Sequence, residues 1–131
     1  MRNGASGPRV IARGGIVNPA LQALGRLPSG TMNKTEALYA EHLDGLLHHN
    51  VIAWYKFEGV KLRLADGCFY TPDFAVMLHD GQLEMREVKG YWLEDARVKI
   101  KVAAALYPFR FIGVTAQSKK AGGGWAVEVF G

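Results

Sequence analysis

Tyr70-Thr71-Pro72-Asp73-Phe74-Ala75-Val76-Met77-Leu78-His79-Asp80-Gly81-Gln82-Leu83-Glu84-Met85-Arg86-Glu87-Val88-Lys89 holds two apolar runs on either side of His79-Asp80-Gly81. Asp-Gly between apolar runs is a strong signal for a hairpin turn. The first run opens on a carboxylate, Asp73, directly after a proline. The second closes on Glu87 and Lys89. Strand side chains alternate between faces, so Leu83, Met85, Glu87 and Lys89 share one. An antiparallel hairpin sets the start of one strand beside the end of the other. Asp73 is thereby carried back toward Glu87, and two carboxylates and an ammonium gather at one end of a sheet beside apolar neighbours.

Two carboxylates that converge in half-buried surroundings resist ionising together. A hard divalent cation removes that conflict. Mg²⁺ characteristically takes one or two protein carboxylates, keeps several waters and shares the rest of its shell with phosphate oxygens. A nearby ammonium suits a phosphate oxygen or an attacking water, so the set has the parts of a phosphodiester hydrolysis site. The competing reading is structural. Asp73 is then a turn residue after Pro72, and Glu87 and Lys89 are a same-face pair worth a few tenths of a kcal/mol. Leu83 and Met85 on the same face argue for a buried setting.

Pro72-Asp73, then Glu87-Val88-Lys89 after thirteen intervening residues, resembles the PD-(D/E)XK nuclease motif, with no substitution. More loosely, the chain is similar to small phage-encoded nucleases of that superfamily, near the endonuclease I type of Holliday-junction resolvase. By element order the resemblance covers roughly residues 33–115. It implies a restriction-endonuclease-like α/β core with a mixed central sheet, and a Mg²⁺-dependent DNA endonuclease in which Mn²⁺ substitutes. Asp73 and Glu87 would bind the metal, with the Val88 carbonyl as a third ligand. Lys89 would position or activate the attacking water. Glu36, on the helix before the sheet, matches a glutamate that many members place near the metal. Branched or structured DNA in phage recombination or genome processing, and a homodimer, are further implications. Two alternatives stay open: a non-catalytic nucleic-acid-binding protein, and a restriction or mismatch-nicking type of endonuclease.

Composition is compatible with this. The 131 residues suit one domain, here expected over 31–131 behind a basic, loosely ordered arm over 1–30. No apolar run reaches the length of a membrane span, and the N-terminus lacks the apolar centre of a secretory signal. The single cysteine, Cys68, excludes an internal disulfide. An intracellular protein is the expectation. The net charge of +4 suits a polyanionic partner such as DNA. Its distribution is more telling than its size. No acid precedes Glu36, and none lies between Asp95 and Glu128, whereas Arg97, Lys99, Lys101, Arg110, Lys119 and Lys120 do. A basic frame therefore flanks an acidic centre. Arg97, Lys99, Lys101, Lys119 and Lys120 are the candidate DNA contacts, with a merely solvated face as the competing account of the helical ones.

Along the chain, a short helical turn is expected at Pro19–Leu24 within the arm. Asn33-Lys34-Thr35-Glu36 fits a capping box and starts a helix that ends near His49. Ala40, Leu43 and Leu47 place Glu36 at the head of its buried stripe, so Glu36 has a cap role competing with the metal role. Glu41 and Asp44 read as its solvated face. His42, His48 and His49 read as surface and helix-end residues. Strands are expected at 51–57, 60–64, about Phe69, after Asp73 and up to Lys89, as one antiparallel meander. Tyr91-Trp92 suits either base stacking or packing. A helix from Glu94 to about Leu106 then crosses to a parallel strand at 110–115. Lys119 to Gly124 reads as a flexible basic loop, and Trp125–Phe130 as an edge strand.

Overall fold

The computed structural model describes residues 30–90 and 94–130. The arm expected over 1–30, apart from Gly30, and the Tyr91-Trp92 pair lie outside those residues. The architecture is α/β. A mixed five-stranded sheet carries one helix against each face, and a small two-stranded sheet lies apart from it. Among the described residues no helix is long and apolar enough to cross a membrane.

Helix α1 spans Lys34–His48. Its start is the expected capping box. The Asn33 side chain accepts from the Glu36 N–H at 2.8 Å, and Glu36 Oε1 accepts from the Asn33 N–H at 2.8 Å. Its end is a turn in which Asn50 takes a left-handed φ of 60°. Val51 N–H reaches back to the Leu46 carbonyl and Asn50 N–H to that of Leu47, which satisfies carbonyls the helix leaves open. Asn tolerates that φ better than any residue but glycine.

Strand β1 (Ile52–Phe57) follows, then β2 (Leu62–Ala65), β3 (Cys68–Tyr70), β4 (Phe74–Leu78) and β5 (Leu83–Lys89). Helix α2 (Glu94–Leu106) leads to β6 (Arg110–Ala116). A single 3₁₀ turn over Lys119–Ala121 leads to β7 (Trp125–Phe130). The order across the sheet is β1-β4-β5-β6-β7. β5 and β6 run parallel, as a helical crossover requires, and the other pairs are antiparallel.

The continuous meander expected from the sequence is not what forms. β2 and β3 pair only with each other, and β1 skips them to pair with β4. Asp66-Gly67 closes β2–β3 into its own hairpin, with Gly67 at φ 68°. That hairpin packs against α2: Leu62 and Tyr70 share a core cluster with Ile100 and Ala103. The β4–β5 hairpin turns through His79, Asp80 and Gly81. Gly81 N–H donates to the Leu78 carbonyl, and Gly81 has φ 89°. The β4–β5 register pairs Phe74 with Arg86, so Asp73 falls beside Glu87.

Alternation splits the core in two. Tyr39, Ala40 and Leu43 of α1 pack on Phe74, Val76, Val88, Ile112 and Val114. Ile100 and Ala103 of α2 pack on Ala75, Met85, Phe111 and Phe130. β4 is therefore buried on both faces, which explains its unbroken apolar run, whereas β5 carries its charged residues between apolar ones.

Candidate functional site

Four acidic residues from four places in the chain lie near the end of the sheet where β4 begins and β5 ends. Asp73 and Glu87 are 8% and 7% exposed. The Asp73 Oδ2 accepts the Val88 N–H at 2.8 Å. Glu87 Oε1 accepts the Tyr70 hydroxyl at 2.8 Å and the Asp73 N–H at 3.2 Å. Glu87 Oε2 faces the Lys89 ammonium at 3.1 Å. Glu36 enters from the first turn of α1. Its carboxyl serves the cap and also lies close enough to Asp73 to share a hydrogen bond. The cap and cluster roles, competing readings of the sequence, coexist on one side chain.

Glu58 is the fourth acid, and sequence reasoning missed it. It follows β1 directly with a left-handed φ of 50°, and its N–H donates to the Asp73 carbonyl at 2.7 Å. Its Oε1 accepts the Gly30 N–H at 2.8 Å. Tyr70 was missed as well. Both omissions follow from the meander reading, which kept β1 away from β4 and gave Tyr70 no route to Glu87.

The electrostatics are unbalanced. Burial, then the Glu87 and Glu36 charges, push Asp73 up to about 9, against the Val88 N–H and Lys89. Burial also raises Glu36, with Glu58 adding to it and the Asn33 amide opposing. For Lys89, burial favours the neutral amine, but Glu87, Asp73 and Glu36 outweigh it, so its pKa is raised. Burial and then Glu87 raise Tyr70, which keeps its proton and can only donate to that carboxylate. Glu87 thus has a resident counter-ion in Lys89, whereas burial is the leading cause that raises both Asp73 and Glu36. The charge conflict that a cation relieves is present at Asp73.

The donor set fits a small hard cation. A carboxylate offers about four lone-pair positions. Asp73 has one taken by an N–H, and Glu87 Oε2 has one taken by Lys89, so both retain acceptor capacity. Among the described residues, no three His, Cys, Asp or Glu side chains form a ready-made cage. Val88 meets the cluster through its N–H.

The candidate DNA contacts are more scattered. Lys101, Lys119 and Lys120 are exposed. Lys99 donates to the Phe69 carbonyl at 3.3 Å, tying α2 to β3. Arg97 is committed to Glu128 through two bonds of 2.7 and 3.1 Å, so it ties α2 to β7 and is not a free cation. Asp44 also departs from expectation. It accepts the Tyr55 hydroxyl at 2.7 Å and links α1 to β1 instead of facing solvent. No protein-family model, curated protein or solved structure matches the chain.

Proposed function

We propose that the chain is a metal-dependent DNA endonuclease with a restriction-endonuclease-like core. One observation carries the reading: Asp73 and Glu87 converge at one sheet end with Lys89 beside them. Asp73 and Glu87 would hold Mg²⁺ or Mn²⁺, with the Val88 carbonyl as a third protein ligand and Glu36 assisting directly or through water. A bound ion of this kind supplies Lewis-acid polarisation of a phosphoryl oxygen and a more acidic water. The raised pKa of Lys89 keeps it an ammonium. It therefore orients water or a phosphate oxygen and offsets charge building on the phosphate. Tyr70 fixes Glu87 Oε1, so that carboxylate presents Oε2.

The substrate in this reading is branched or otherwise structured DNA, processed by a homodimer encoded by a phage and acting inside its host. A non-catalytic nucleic-acid-binding role is the second reading, drawn from the Lys89–Glu87 pair, which neutralises one carboxylate internally. A cleavage assay separates them. Four-way-junction, flap and linear duplex DNA are incubated with Mg²⁺ or EDTA beside Asp73→Ala. The nuclease reading expects products only with metal and only from the unsubstituted chain. Equal products from both proteins, or none under any condition, would remove it. A sequence-dependent cut on linear duplex alone would indicate the restriction type instead.

A further inference from the structure

A cavity of about 460 Å³ opens on the α1 face of the sheet, away from the carboxylates, beside α1 and over β5, β6 and β7. That volume lies within the roughly 300–1,000 Å³ of small-molecule sites. Its floor is apolar, from Ile112 and Val114, and its wall is aromatic. The Trp125 ring stands edge-on to Tyr39 at 4.9 Å, with His42 5.4 Å from Tyr39. Its polar part carries excess positive charge. Two guanidiniums face one carboxylate: Arg86 bonds Glu84 at 2.7 and 3.2 Å, and Arg110 meets Glu84 only at 3.6 Å. Glu84 and the Arg86 side chain are largely buried, whereas Arg110 is 47% exposed.

The cavity is also short of acceptors. Arg86 donates to the Tyr39 hydroxyl at 2.9 Å. Tyr39 is 1% exposed, and among the described residues its own hydroxyl hydrogen has no acceptor. The His42 ring and the Trp125 indole N–H likewise make no hydrogen bond to another described residue. The occupant such a site recognises is anionic, rich in acceptors and flat on one side.

The geometry points to a nucleotide-binding pocket here, taking one phosphate against Arg110 and one unpaired base against Trp125 and His42. His42 lies six positions after Glu36 on α1, about 9 Å further along the helix axis. The pocket and the carboxylate cluster thus adjoin different levels of the same helix. Binding itself does not depend on that cluster or on cleavage.

The test is fluorescence anisotropy of a labelled six-nucleotide oligodeoxythymidylate, titrated with the full chain in EDTA, with thymidine monophosphate as competitor. The wild type binds, and Arg110→Gln and His42→Ala each weaken binding by at least about fivefold, the scale of one stacking or phosphate interaction. Lys61→Gln, an equal loss of charge outside the pocket, changes it by much less. Circular dichroism verifies that all three variants fold. Displacement by the monophosphate identifies a single nucleotide unit as sufficient, whereas binding of the oligonucleotide alone identifies a strand as the source. The pocket is overturned if the wild type does not bind, or if Arg110→Gln and His42→Ala weaken binding no more than Lys61→Gln.

Discussion

At the scale of single residues, Asp73 is the group under most electrostatic stress. Its pKa rises from an ordinary 3.8 to about 9 on folding, chiefly through burial. The folded state therefore binds more protons than the unfolded state between those values. This contribution to stability is complete below about pH 4 and is lost as pH rises through 9. In urea denaturation with EDTA, the wild type is expected to weaken from pH 5 to pH 9. Asp73→Asn, neutral and of equal size, should flatten that profile and gain about 1–4 kcal/mol at the alkaline end. A variant with the same pH slope as the wild type would show Asp73 to be ionised at little cost. Around Lys89 the same carboxylates hold the charge in place. Lys89→Ala is expected to keep DNA binding and lose about 10²–10³ in turnover, the scale of removing one electrostatic stabiliser of the transition state. Single-turnover kinetics beside a binding titration measure both, and unchanged turnover would remove Lys89 from the chemistry.

At the scale of elements, α1 and the β4–β5 hairpin do the positioning. Glu36 has two roles, and one substitution separates them. Glu36→Gln preserves the capping box, since Gln serves there as Glu does, so the melting temperature should hold while Mg²⁺ affinity falls. A large drop in melting temperature with unchanged affinity would assign Glu36 to the cap alone. The hairpin depends on Gly81, whose φ of 89° disfavours any Cβ. Gly81→Ala should cost about 1–2 kcal/mol, read from the urea midpoint. These elements were legible in the sequence because their signals are local: a capping box for α1, Asp80-Gly81 between apolar runs for the hairpin, and acids then Pro108 around α2. The separation of β2–β3 from the main sheet was not legible. It depends on Tyr70 and Leu62 finding α2, a contact between residues far apart in sequence. The buried Glu84–Arg86 pair was also hidden, because both residues alternate with apolar ones and read as a polar face.

At the scale of the molecule, the basic frame is thinner than the sequence implies. Arg97 is tied to Glu128 and Lys99 reaches a backbone carbonyl, while Lys101, Lys119 and Lys120 remain exposed. If these three meet phosphates, replacing all three with alanine should make the slope of log affinity against log salt shallower by about 2–3. An unchanged slope would put the DNA path elsewhere. The acidic centre was the more legible half of the site. Asp73, Glu87 and Lys89 follow from the Asp80-Gly81 hairpin and strand alternation together, whereas Glu58 and Tyr70 required the true strand order. The nuclease proposal stands or falls on whether the carboxylates of Asp73 and Glu87 share one cation. Anomalous diffraction from crystals soaked in Mn²⁺ reads this out. A single strong peak is expected between the two carboxylates, within about 2.0–2.3 Å of an oxygen from each, and it should vanish in Asp73→Asn. A map with no peak there, while Lys89 still pairs with Glu87, would refute the shared cation.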